Sequence, residues 1–157
     1  MERPYVSKEL RRQIASRAAD LCEYCLIHEK DTAFGCAVDH IISLKHGGAT
    51  DTDNLAHACV FCNRFKGSDI GSIVWQTKEF TRFYNPRSDR WSKHFQLQNA
   101  TLQPLTNIGE VTARILGFND SDRLLERQLL INQNKYPHPA ARKRMEKQAD
   151  TINDSGE

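Results

Sequence analysis

The sequence predicts a small α+β fold built around a metal site, and three observations lead there. Two C-x-x-C pairs, Cys22/Cys25 and Cys59/Cys62, are separated by 33 residues. Between them lies a β-branched run bounded by a Gly-Gly pair, which reads as strand then loop. Before them lies an amphipathic stretch with helical spacing. A chain of 157 residues has room for one compact domain with an appendage or two very small ones. Its composition, 39% hydrophobic and 27% charged, is that of a globular protein rather than a disordered or membrane-spanning one. No stretch reaches the roughly 20 apolar residues of a membrane helix, and Met1 to Arg12 lacks the apolar core of a secretion signal. The expected location is cytoplasmic.

Taken in order, Ser7 to Leu21 forms a helix with Leu10, Ile14, Ala18 and Leu21 on one face. The first cysteine pair follows. Ala37 to Leu44, carrying Val38, Ile41, Ile42 and Leu44, is a strand that Gly47-Gly48 ends. A polar loop leads to ordered chain at Asn54-Leu55-Ala56, and a short helix from Cys62 to Lys66 stops near Gly67. Beyond it, 80–95 is aromatic and basic, with a turn near Asn85-Pro86. A hairpin turns at Asn99-Ala100, and helices are expected over 106–118 and 122–134. The tail after Tyr136 is polar and expected to be disordered. The organisation is therefore 1–70 core, 71–136 extension packed on it, and 137–157 tail.

The cysteine spacing selects among chemistries. A two-residue spacer lets two sulfurs and nearby amides converge on one ion, and two such knuckles supply the four thiolates of a structural zinc site. Two disulfides or two redox motifs compete with that reading, but no thioredoxin-like context is visible. Zn²⁺ held by Cys22, Cys25, Cys59 and Cys62 is the expectation. It would stabilise a unit too small to bury a comfortable core. Cys36 is left over, and a small buried hydrophobe describes it better than a fifth ligand. Four cysteines leave zinc no open position, so any catalysis lies elsewhere.

The ordered combination C-x-x-C, D-H-I-I-x-L-x-x-G-G, D-N-L and A-C-x-x-C-N-x-x-K resembles the HNH endonuclease family, over about Arg17 to Lys66. The resemblance implies a ββα-metal, treble-clef-like core with an N-terminal helix and a C-terminal hairpin and helical extension. It implies a metal-dependent endonuclease that hydrolyses DNA phosphodiesters. His40 is then the general base. Asp39 and Asn63 are ligands of a catalytic Mg²⁺ or Mn²⁺, and Asn54 is the middle asparagine that ties down the loop and orients the His40 ring through its backbone. The residue types suit those roles. A neutral histidine, with a pKa near ~6.5, accepts a proton at physiological pH. Two oxygen donors leave a hard cation positions for phosphate and water. Neighbouring Asp39 and His40 would point to opposite faces of a strand, so a strand end or bend is expected there.

Charge is permissive. The net value is +2; residues 1–70 hold nine Lys and Arg against ten Asp and Glu, and 71–157 hold thirteen against ten. Lys45, Arg64 and Lys66 are candidate phosphate contacts. The aromatic neighbours Phe83, Tyr84, Trp91 and Phe95 suit either base stacking or an ordinary core. DNA is the expected partner. One site per chain nicks a single strand, so a homodimer is what double-strand cleavage would require. The rival reading is a zinc-stabilised nucleic-acid-binding module without catalysis, which has no reason to assemble Asp39, His40, Asn54 and Asn63.

Overall fold

A computed structural model describes residues 5–146. Helix α1, Lys8–Arg17, starts where the Ser7 side chain accepts the Leu10 amide. It ends before the expected Leu21, because Ala19 and Asp20 adopt positive φ and turn the chain. Ile14 and Ala18 still reach the core, and Leu21 reaches it from outside the helix, bridged to His28.

Strand β1, Cys36–His40, pairs antiparallel with β2, Leu55–Cys59. Cys36 faces Cys59 at one end and His40 faces Leu55 at the other. The expected strand to Leu44 stops at His40. Beyond it the Asn54 side chain satisfies both backbone groups of Ile42, and Leu44–His46 turns as a 3-10 helix. Helix α2, Val60–Lys66, follows β2 without a linker, with the Cys59 sulfur capping its first turn. This hairpin and helix are the ββα unit, and with the helices and small sheets around it the fold is α+β.

The extension contains a hairpin the sequence reading missed, β3 (Gly71–Val74) with β4 (Glu79–Arg82). The next elements are α3 (Trp91–His94), then β5 (Phe95–Gln98) and β6 (Thr101–Pro104), which turn at Asn99 as expected. Helices α4 (Asn107–Ile115) and α5 (Ser121–Asn132) follow. The expectation of a disordered tail from 137 is corrected over 137–146. A 3-10 turn, Pro139–Ala141, and a short α6, Arg142–Met145, dock there with Ala141 fully buried. Residues 147–157 lie outside the described ones.

Core and extension share one interior: Cys22, Tyr24, Ile41 and Cys62 belong to the same buried cluster as Trp91, Phe95, Phe118 and Tyr136. Hydrogen bonds lock the halves together, among them Trp91 Nε1 to the Tyr24 carbonyl at 2.8 Å and Tyr136 OH to the Cys25 carbonyl at 2.7 Å. Phe83, Tyr84, Trp91 and Phe95 are all buried, so these rings build the core rather than a stacking platform. No helix among the described residues is long and apolar enough to cross a membrane.

Candidate active site

The two knuckles close on each other. Cys22, Cys25, Cys59 and Cys62 are buried and their sulfurs gather in one cluster. Cys25 Sγ and Cys59 Sγ lie 3.8 Å apart, the roughly 3.8 Å edge of a tetrahedron with ~2.3 Å Zn–S bonds. Within each knuckle the second cysteine's amide points at the first cysteine's sulfur at 3.5 Å. Four thiolates at that spacing suit zinc. A buried cation backs them: Arg123 donates to Cys62 Sγ at 3.3 Å and to the Leu116 carbonyl at 3.0 Å. Burial pushes the Cys22 and Cys62 thiols up, whereas hydrogen bonds from the other three thiols draw Cys25 down, which Arg123 reinforces.

At the other end of the hairpin, a cleft of about 750 Å³ opens between α1, β1 and α2. Asp39, His40 and Asn63 line it, with Lys45, Arg64 and Arg11. His40 is the last residue of β1, the strand end that lets a neighbouring carboxylate and imidazole serve one space. Its Nε2 meets Thr50 Oγ1 at 2.8 Å. Asn54 clamps the intervening loop: its amide nitrogen donates to the Ile42 and Ala49 carbonyls, and its Oδ1 accepts the Ile42 amide, all at 2.9 Å. Asn54 therefore ties down the loop, and Thr50, next to Ala49, meets the ring. Gly48 makes the turn possible. A Cβ there would lie 1.7 Å from the Ile42 oxygen, so no other residue fits.

Asp39 is 4% exposed. Its Oδ2 accepts from Tyr24 OH at 2.7 Å, and Lys66 Nζ lies 3.3 Å from Oδ1 and 3.2 Å from Oδ2. Burial raises the Asp39 carboxyl above the usual range, and Lys66 and Tyr24 offset part of that rise. The carboxylate and the Asn63 amide are oxygen donors, which suits a hard divalent cation.

The expectation that Lys66 contacts phosphate is corrected. Lys66 is 1% exposed, and its ammonium is spent on Asp39 and on the His40 carbonyl at 2.9 Å. The last turn of α2 points inward there because it packs on β1. Arg64 and Lys45 remain exposed at the cleft. Cys36 is half-buried rather than buried. Thr50, Tyr24 and Arg123 were missed, since nothing local in sequence marks a threonine, tyrosine or arginine that acts across the fold.

A cysteine-pinned hairpin and helix, with Asp39, His40 and Asn63 on one cleft, defines the ββα-metal class. The model of the family described as HNH endonuclease matches residues 22–69, and that stretch of the chain is an HNH domain. No curated protein and no solved structure matches the chain. An HNH domain carries nuclease-type activity and metal binding.

Proposed function

We propose that the cleft hydrolyses DNA phosphodiester bonds with His40 as general base. The observation that carries this reading is the convergence of Asp39, His40 and Asn63 on one cleft that also presents Lys45, Arg64 and Arg11. His40 takes a proton from the attacking water, help typically worth 10²- to 10⁴-fold in rate. Thr50 holds the ring so that the water is met at a fixed angle. Asp39 and Asn63 would hold Mg²⁺ or Mn²⁺, which would supply positive charge to the reacting phosphodiester. Lys66 and Tyr24 keep the Asp39 carboxylate aimed. The exposed Lys45, Arg64 and Arg11 bind the phosphates flanking the scissile one.

A binding module without catalysis gains nothing from an imidazole held by a hydroxyl beside a buried carboxylate. The reading is tested by titrating Mg²⁺ or Mn²⁺ into the protein with supercoiled plasmid. Wild type is expected to cut only with the ion. Asn63→Ala is expected to need about tenfold more ion for the same rate. Cutting in excess chelator with zinc still bound would remove the second ion from the mechanism.

A further inference from the structure

Away from the cleft and the four-cysteine cluster, a further group of metal-ligating atoms converges. Glu29, Cys36 and His57 each offer one, and a carboxylate oxygen, the thiol sulfur and a ring nitrogen lie within 4.8 Å of one another. Glu29 belongs to a 3-10 turn, Glu29–Asp31, Cys36 opens β1, and His57 sits in the middle of β2. The register sets Cys36 opposite Cys59 and Val38 opposite His57, so Cys36 and His57 are diagonal neighbours on one face of the hairpin. His57 Nε2 is 3.0 Å from Glu29 Oε1. The His57 side chain is 7% exposed and that of Glu29 40%, so the group is walled by the hairpin and open on the Glu29 side.

We propose that Glu29, Cys36 and His57 form a second metal site that takes a borderline transition ion, Zn²⁺ foremost, with its fourth position left to water. One nitrogen, one sulfur and one oxygen are the donor types that zinc accepts. Tetrahedral zinc with bonds of ~2.0–2.3 Å sets its donors roughly 3.3–3.8 Å apart. The His57–Glu29 edge already approaches that, and the edges to sulfur close by side-chain rotation. The same mixture suits Mg²⁺ poorly, since that ion wants an octahedron of oxygens, so this site would not draw on the ion of the cleft. Neither the cleft nor the four-cysteine cluster uses any of the three residues. An ion here ties the 29–31 turn to the hairpin whose far end carries His40. The inference is independent of the nuclease reading.

The test uses the full chain with its four-cysteine cluster filled with zinc, titrated with Co²⁺. A thiolate bound to Co²⁺ gives a near-ultraviolet charge-transfer band. The cleft offers no thiolate, so the band reports Cys36 while the original zinc stays bound, which an assay of released zinc checks. The expected result is a band saturating at one equivalent, absent from Cys36→Ser. In Glu29→Gln and His57→Gln the apparent affinity falls by about tenfold or more, with zinc retained in every variant. Should His57→Gln not fold, Glu29→Gln and Cys36→Ser carry the test, being nearly isosteric changes at half-buried positions. No band in the zinc-filled wild type overturns the proposal. So does a band that persists in Cys36→Ser, or one that grows only as zinc is released.

Discussion

Thr50 and Lys66 show how the cleft is set by side chains that hold its other residues. The Thr50 hydroxyl is the partner of His40 Nε2. Thr50→Val removes it at nearly constant volume. Cleavage is expected to slow about tenfold, the worth of one hydrogen bond, with DNA affinity unchanged and with activity restored in Thr50→Ser. A parallel fall in affinity would mean that Thr50 shapes the loop rather than the ring. Lys66 is held differently. Its ammonium and the Asp39 carboxylate are a buried pair, and removing one partner strands the other charge. Lys66→Met is expected to cost about 3–5 kcal/mol in urea unfolding at pH 7 with zinc present. A loss of a few tenths would show that the pair is far better solvated than its burial indicates. The sequence singles out Asp39, His40, Asn54 and Asn63 because each sits inside a motif of fixed spacing, and three of them line one cleft. Thr50 and the inward turn of Lys66 were not, since both depend on what the loop and the helix pack against.

The elements divide in the same way. Strand β1, α2 and the β5–β6 turn were readable from a β-branched run, glycines and Asn99, which are local signals. The β3–β4 hairpin escaped notice because its β4 residues Glu79 and Phe80 are exposed, and a strand without a buried face loses the alternation that marks it. The ends of β1 and α1 were overrun for a related reason. Asn54, distant in sequence, takes over the pairing of Ile42, and the positive φ of Ala19 and Asp20 carries no glycine to announce it. Just past β4, Asp89 organises the Asn85–Asp89 turn, accepting both Arg82 guanidinium nitrogens at 2.7 and 3.0 Å and the Asn85 amide at 2.8 Å. Burial would raise its carboxyl, but those three donors pull it below the usual range. A depressed folded pKa contributes stability that is present above the unfolded value near ~3.9 and lost as pH falls through the folded one. Asp89→Asn should therefore lower stability by about 1 kcal/mol at neutral pH, a figure held down by the exposure of Arg82. The difference from wild type should vanish below the folded pKa. A gap that stays constant down to that pH would mean the carboxylate charge contributes nothing.

For the whole molecule, the shared core makes zinc a matter for both halves. Tyr136 and Trp91, from the extension, hydrogen-bond to carbonyls of the first knuckle, and Arg123 of α5 touches a knuckle sulfur. Cys22→Ser or Cys59→Ser is expected to lose the ion and unfold the core and the extension in a single transition, followed by circular dichroism and tryptophan fluorescence together. Separate transitions, or a folded zinc-free variant, would break the link. The motif-bearing core announced itself, whereas the ordered 137–146 segment did not, because its polar composition hides the few apolar residues, Ala140, Ala141 and Met145, that pack on the core. Supercoiled-plasmid cleavage in Mg²⁺ or Mn²⁺, with wild type beside His40→Ala at matched zinc content, reaches the central claim most directly. The account predicts that wild type yields open circles while His40→Ala is slower by at least ~100-fold. Equal cutting by the two proteins would contradict it.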